Sequence, residues 1–372
     1  MKKVGFVGWR GMVGSVLINR MLEEKDFENI EKPIFFTTSQ VGEQGPKVGK
    51  KIPLLRDAFD INLLSEMDVI VTCQGSSYTK KVYKGLRDIG WDGYWIDAAS
   101  ELRMIDSSVI VLDPINREVI DSAILKGKRD FIGGNCTVSL MLMAIGGLFK
   151  SNAIEWVSAM TYQAASGAGA KNMKELILQM GKLSNSVSDY LESPYSEILE
   201  IDDKITQTLL SDDFPKENFT VPLAGSLIPW IDAEMKTGQS KEEWKASAET
   251  NKILDTSSQP IPIDGTCVRI GAMRCHSQAL TIKLSKNISI DEVHQLISNS
   301  NPWVRLINND KSSSINYMSP VRVSGTLDIP VGRIRKMNLG EDFLNVFTVG
   351  DQLLWGAAEP LRRALLILMK GL

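Results

Sequence analysis

The stretch Lys3-Val4-Gly5-Phe6-Val7-Gly8-Trp9-Arg10-Gly11-Met12-Val13-Gly14 decides the fold. A short apolar strand ends at Val7, and glycines follow at GxxGxxG spacing. Met12–Glu24 then repeats Val13, Val16, Leu17 and Met21 at helical intervals. A glycine-rich turn between strand and helix lets the backbone approach a phosphate, and the helix start offers free N–H groups and a positive dipole end. The same turn also serves as a plain connection, so alone it is a weak signal. The charged start Met1-Lys2-Lys3 has the look of a leader. Gly5, Gly8, Arg10 and Gly11 break the apolar run at once, so it reads as strand and turn.

Outward from this stretch the alternation persists. Pro33–Thr38, Asp68–Cys73, Tyr94–Asp97, Val109–Leu112 and Asp130–Ile132 read as strands, with helices over Tyr78–Ile89 and Asn116–Leu125. Asp68–Cys73 is a continuous β-branched run, as for a strand buried on both faces. Such β-α-β order predicts an α/β fold with a Rossmann-like, doubly wound sheet that binds ligands at the strands' carboxyl ends. The pattern then turns α+β. A strand over Glu155–Gln163 leads to the small-residue loop Ala164–Ala170 and an amphipathic helix over Met173–Leu183. Residues 184–220 form a polar excursion. Lys241–Asn251 is a helix whose Ser240 and Glu243 make a capping-box pattern. Thr266–Arg274 and Gln278–Leu284 read as strands, and Ile290–Ile297 as a polar helix. The stripe Asp351–Leu372, with Pro360 as a kink or break, is expected to return to the first domain. The expected division is a first domain over 1–134, completed by 352–372, and a second over 135–351.

Composition narrows the function. The 372 residues carry 42 Lys+Arg against 45 Asp+Glu, a net charge of −3. That balance suits neither a nucleic-acid partner nor a polybasic membrane anchor. The longest near-apolar run, Thr137–Phe149, falls short of the roughly 20 residues a bilayer needs. Cys73, Cys136, Cys267 and Cys275 form no CxxC pair, which points to a reducing, cytoplasmic setting. With only two histidines, a multi-histidine metal site is nearly excluded.

The second strand refines the ligand. NAD-binding folds usually place an acid about 20 residues after the glycines, against the ribose 2′-hydroxyl. Here Phe36-Thr37-Thr38-Ser39-Gln40 has none, and Arg10 lies in the glycine loop. A 2′-phosphate suits that arginine and those hydroxyls, which favours NADP. Cys136 stands at a helix start after Gly133-Gly134-Asn135. A buried structural thiol is the ordinary reading. The helix start, however, is expected to lower its pKa, and the double glycine to leave N–H groups open as an oxyanion hole. Cys73 and Cys267 read as structural, and Cys275 is ambiguous. If Cys136 needs a base, His276 is a better candidate than His294 on its polar helix. Arg103, Lys245 and Arg269 read equally well as solvated surface charges.

At these residues the chain resembles the bacterial aspartate-semialdehyde dehydrogenases of the Gram-negative type, over essentially its whole length. The markers are GFVGWRGMVGS near the start, VTCQG at 71–75, WIDAAS at 95–100, GGNCTVSLML at 133–142 and YQAASGAGA at 162–170. PLAGSLIPWID at 222–232, EEWKASAETNKIL at 242–254, VRIGAMRCHSQA at 268–279 and FTVGDQLLWGAAEPLRR at 347–363 complete them. The resemblance implies reversible, NADP-dependent conversion of aspartate 4-semialdehyde and phosphate into 4-aspartyl phosphate. That step leads toward lysine (through diaminopimelate), threonine and methionine, in a cytoplasmic homodimer. It further implies Cys136 as nucleophile, His276 as acid/base, and Gln163, Glu242 and Arg269 as substrate-binding, with Arg103 and Lys245 holding phosphate. The cofactor would meet Arg10, Gly11, Met12, Val13, Thr38, Ser39 and Gln74, then Ser166, Gly167, Ala168, Gly169 and Ala170, and finally Pro194 and Gln352. Ala168 falls where relatives often carry a third glycine. Two other readings stand beside this one. An N-acetyl-glutamyl-phosphate reductase-like enzyme would use the same cysteine, but Glu242 suits a free ammonium rather than an acetamide. A non-catalytic NADP(H)-sensing protein would need neither Cys136 nor His276.

Overall fold

The computed structural model describes residues 3–48, 52–195 and 197–371, so Met1, Lys2 and Leu372 lie outside the described residues. The first sheet contains β1 (Lys3–Val7), β2 (Lys32–Thr37), β3 (Arg56–Asp57), β4 (Val69–Thr72), β5 (Tyr94–Asp97), β6 (Ser108–Val111) and β7 (Asp130–Gly133). All pairs are parallel, in the order β3-β2-β1-β4-β5-β7-β6. The strands read as unbroken apolar runs because both faces are covered. Val69 and Val71 pack under helices Met12–Glu23, Asp113–Leu125 and Glu359–Gly371, whereas Ile70 packs under Ile61–Leu64 and Ser76–Asp88. The direction of winding reverses between β1 and β4, which puts a crevice at their carboxyl ends.

The second sheet is mixed. It contains β8 (Ile154–Gln163), β9 (Leu227–Ile228), β10 (Ile263–Asp264), β11 (Cys267–Ile270), β12 (His276–Leu284), β13 (Val304–Leu306), β14 (Ile329–Met337) and β15 (Gly340–Gly350). Their order is β13-β14-β15-β12-β8-β11-β9, with β10 also paired to β8. Helix Cys136–Lys150 is apolar all round and buried from Thr137 to Phe149 between this sheet and the helix Ile290–Ser298.

The C-terminal stripe returns as expected. Leu361, Ala364, Leu365 and Leu368 enter the core of the first sheet. Arg362 pairs with Asp26 at 2.6 Å and Arg363 with Asp113 at 2.6 Å. Pro360 stands at the start of the helix Glu359–Gly371, directly after a π-helical turn over Leu354–Ala358, so it begins a helix rather than kinking one. The excursion over 184–220 is largely helical, with Ser188–Glu192 and Ile198–Leu210. The hairpin β14–β15 has no counterpart in the sequence reading. The strand expected over Thr266–Arg274 ends at Ile270, because the chain turns back through Cys275, whose φ is +76°.

Candidate active site

One cleft of about 540 Å³ collects most of the catalytic, substrate-binding and phosphate-binding residues singled out above. Arg103, Cys136, Gln163, Gly167, Ala168, Glu242, Lys245 and Arg269 line it, together with Gly75, Ser76 and Asp232. The capping box on helix Lys241–Ile253 is present. Ser240 Oγ accepts the Glu243 N–H at 3.3 Å, and Glu243 Oε2 accepts the Ser240 N–H at 2.7 Å. Glu243 Oε1 also accepts the Cys267 N–H, which fastens the helix to β11. Glu242 and Lys245 are thereby turned into the cleft.

Asn135 caps the cysteine's helix: its Oδ1 accepts the N–H groups of Thr137 and Val138 at 3.0 and 3.2 Å. Its Nδ2 donates to Glu242 at 3.0 Å. The expected oxyanion hole is smaller than the double glycine suggested, since Glu249 Oε2 accepts the Asn135 N–H at 2.7 Å. The thiol also departs from expectation. Burial, reinforced by Glu242, pushes Cys136 up to about 12, and Arg269, Lys245 and Arg103 do not offset it. The pull of a helix start is weaker than desolvation here.

Glu242 is a hub. It accepts from Lys245 Nζ at 3.0 Å and Gln163 Nε2 at 3.2 Å as well as from Asn135. Burial opposes its ionisation, but Lys245 and these donors hold the carboxyl below its usual range. Lys245 Nζ also meets Asp232 Oδ2 at 2.6 Å. Arg103 donates from Nε to the Gly133 carbonyl at 2.8 Å and from Nη1 to Glu249 at 2.9 Å. Arg269 Nη1 donates to the Ala164 carbonyl at 2.9 Å. Gly167 wedges between two of these groups: a Cβ there would lie 2.7 Å from Arg269 Nη1 and 3.1 Å from His276 Nε2.

His276 is fully buried. Its Nδ1 accepts the Ala164 N–H at 3.0 Å, while Nε2 has no hydrogen-bond partner among the described residues. Burial, followed by the Arg269 charge, lowers the ring to about 3. The imidazole is therefore neutral and, with Nδ1 engaged as an acceptor, carries its proton on Nε2. That nitrogen lies behind Gly167, which lines the cleft, while the ring itself is not among the lining residues. The expected base role meets an obstacle, because neither nitrogen has a free lone pair. His294 lies on the separate helix Ile290–Ser298 and does not line the cleft.

A second constellation lies at the β1/β4 crevice. Gly8 has φ +73°, and a Cβ there would come within 2.5 Å of the Cys73 carbonyl carbon and the Gln74 nitrogen. Gly14 has no room either, at 2.2 Å from the Gly8 oxygen. The helix start at Gly11 has no side-chain cap. Arg10 lies over the Trp9 ring and donates from Nη2 to Thr37 Oγ1 at 3.1 Å and Ser39 Oγ at 3.3 Å. Of the hydroxyls read at the end of this strand, Thr37 is buried and meets Arg10, whereas Thr38 and Ser39 are exposed. Ser166 Oγ and Gln352 Nε2 are buried without hydrogen-bond partners among the described residues. Gly356 packs against both Cys136 and Gln352, which brings Gln352 near Cys136. These free helix-start N–H groups, orphaned donors and the arginine fork fit a dinucleotide. Ala168 sits in a short 3-10 turn, Ala165–Ala168, and is not among the residues of positive φ, so alanine is unstrained there. Pro194 is exposed on the excursion and does not line the cleft. Among the described residues, no group of His, Cys, Asp and Glu could hold a metal ion, and no helix is long and apolar enough to cross a membrane.

Comparison with known proteins agrees with this geometry. Residues 3–123 match the family model of the semialdehyde dehydrogenase NAD binding domain, and residues 145–355 that of the semialdehyde dehydrogenase dimerisation domain. The structure of aspartate semialdehyde dehydrogenase from Francisella tularensis is 50% identical, covers 99% of this chain and 100% of that one, and superposes with a TM-score of 0.94. Aspartate semialdehyde dehydrogenase II of Vibrio cholerae, complexed with ASA, shares the fold at 22% identity and a TM-score of 0.79, covering 100% of this chain and 98% of that one. The Candida albicans enzyme with NADP does so at 16% identity and a TM-score of 0.65, over the whole of both chains.

Proposed function

The chain belongs to the aspartate-semialdehyde dehydrogenase family, and from that premise we propose that it converts L-aspartate 4-semialdehyde, phosphate and NADP into 4-aspartyl phosphate through an acyl-thioester on Cys136. The carrying observation is the single cleft in which one thiol faces a carboxylate hub and two separately held cation groups.

In this reading Arg269 pairs with the substrate carboxylate, for which a guanidinium fork is matched. Glu242 receives the substrate ammonium at the place where Lys245 now donates. Cys136 gives up its thiol proton to water in the cleft, its Sγ adds as the thiolate to the aldehyde carbon, and the oxygen so charged meets the Nε2–H of His276 and the Cys136 N–H. The chemistry a bound nicotinamide supplies is acceptance of the aldehyde hydrogen as hydride. Cys136 is then acylated. Phosphate held by Arg103 and Lys245 attacks the acyl carbon and expels the thiolate, so the sulfur returns ready for the next cycle. Arg10, Thr37, Ser39, the Gly8–Val13 turn, Ser166 and Gln352 hold the dinucleotide, and the pairing of Arg10 with two hydroxyls favours a 2′-phosphate over a bare ribose.

The excursion supports a homodimer. Leu191, Ile198 and Leu199 on it, and Ile177 and Leu178 on the preceding helix Ala170–Ser186, expose large apolar side chains. All four thiols are unpaired, in keeping with a reducing cytoplasm. An acidic hub suited to an ammonium also favours aspartate semialdehyde over an N-acetylated substrate. The test is NADPH formation from aspartate 4-semialdehyde with and without phosphate. Phosphate-dependent turnover is expected; equal turnover without phosphate would identify a hydrolytic aldehyde dehydrogenase.

A further inference from the structure

Glu249 is absent from every role assigned so far, yet it is 1% exposed and bonded to two parts of the cleft wall. Its Oε1 accepts from Arg103 Nη1 at 2.9 Å, and its Oε2 accepts the backbone N–H of Asn135, the residue before the nucleophile, at 2.7 Å. Arg103 Nε is spent on the Gly133 carbonyl at 2.8 Å. With Nε and Nη1 both engaged behind it, the fork keeps Nη2 without an acceptor among the described residues, while Arg103 lines the cleft. The same helix grips the arginine a second time. Lys252, three positions on, donates from Nζ to the Arg103 carbonyl at 2.8 Å and to the Ile105 carbonyl at 2.6 Å.

We propose that Glu249 is a positioning residue for phosphate: it sets the direction of the Arg103 fork and, through Asn135, fixes that fork relative to Cys136. The assignment rests on the function proposed above. A buried carboxylate is costly to keep, and a well-packed apolar pair of similar volume often matches such an ion pair in stability. Here the carboxylate fixes a geometry that apolar side chains cannot specify, because it joins the anion-binding fork to the loop that carries the thiol.

The experiment compares Glu249→Gln with the unmodified enzyme in three readouts: KM for phosphate, KM for semialdehyde, and NADPH released per site without phosphate. Losing a charge-assisted bond should raise the phosphate KM roughly 10–100-fold. The phosphate-free NADPH yield and the semialdehyde KM should stay within about threefold. In an Arg103→Ala background, Glu249→Gln should raise the phosphate KM no further, since the group it acts through is gone. If the amide variant does not fold, Glu249→Asp, which keeps the charge but cannot reach both partners, carries the same readouts. An unchanged phosphate KM, a comparable impairment of all three readouts (both KM values raised and the NADPH yield lowered), or additivity with Arg103→Ala would each overturn the assignment. Phosphate-independent turnover by the unmodified enzyme would instead overturn the function on which it rests.

Discussion

The Ala164 N–H donates to Nδ1 of His276 at 3.0 Å, and this bond decides what the ring can do. A neutral imidazole whose Nδ1 accepts must carry hydrogen on Nε2, the atom that lies under Gly167 in the cleft wall. In the proposed reaction His276 is therefore assigned the part of a standing donor to an oxygen that gains charge, rather than that of a shuttle that removes the thiol proton.

Two results follow for His276. Replacement by alanine should lower kcat by about 10²–10⁴ and leave cofactor affinity unchanged, whereas His294→Ala should do little. Because burial and Arg269 lower the ring to about 3, no limb of the pH–rate profile near neutrality should belong to it. A limb near pH 6.5 that vanishes in the His276 variants would restore the base role. The sign for stability is also set. The unfolded ring binds a proton below about 6.5 and the folded ring only below about 3, so its contribution is whole above 6.5 and is lost as pH falls between those values. The loss approaches about 1.4 kcal/mol per pH unit. Denaturant titrations of the unmodified protein and His276→Asn should diverge in that window.

Cys136 should alkylate slowly at neutral pH and about tenfold faster per unit up to pH 9, because its thiol stands at about 12. Cys73, Cys267 and Cys275 are raised to about 12 as well, so pKa does not single out the nucleophile. Position does: Cys267 and Cys275 are buried, and of the two half-buried thiols, Cys73 and Cys136, Cys136 lines the cleft and Cys73 does not. Peptide mapping after partial inactivation should find the label there, with protection by substrate. Label concentrated on another cysteine, or a rate that is flat with pH, would sink this assignment.

How much of this was legible depends on the range of the interaction. Tyr94–Asp97 forms a strand with the expected bounds, and Ser240 with Glu243 forms the expected box, because both depend on neighbours in sequence. The β14–β15 hairpin was legible but unread. Leu344 and Val346 alternate with Asn345, and two residues, Asn338 and Leu339, separate the strands. Glu249 was not legible, since its partners are 146 and 114 residues away and nothing local marks an acid on a polar helix as buried. The thiol pKa failed for the same reason. A helix start is a local feature, whereas the desolvation that outweighs it comes from the folded whole.

Arg10→Ala should weaken NADP by about tenfold or more and NAD far less, since a charged donor to phosphate exceeds a neutral hydrogen bond. Thr37→Ala should do the same to a smaller degree, because Thr37 Oγ1 orients the guanidinium at 3.1 Å. Titration of each variant with both dinucleotides checks this. Equal weakening of NAD and NADP would mean that Arg10 serves the pyrophosphate instead.

The two anion sites should separate kinetically. Arg269, on β11, is held by the Ala164 carbonyl beside His276, whereas Lys245, on helix Lys241–Ile253, is held by Glu242 of that helix and by Asp232 of the loop before it. The substrate carboxylate and the attacking phosphate must be bound together at the acyl-transfer stage, so one cation cannot serve both. Lys245→Ala should therefore retain about one NADPH per site in the absence of phosphate and then need far more phosphate to turn over. Arg269→Ala should lose the single turnover at limiting semialdehyde and recover it at high concentration. Lys245 carries a second consequence. It neutralises Glu242 in the free protein, so its removal leaves a buried carboxylate with only amide donors. A substrate ammonium would relieve that deficit, and semialdehyde should bind the Lys245→Ala enzyme at least as tightly as the unmodified one. Weaker semialdehyde binding in that variant would show that Lys245, rather than Glu242, anchors the substrate.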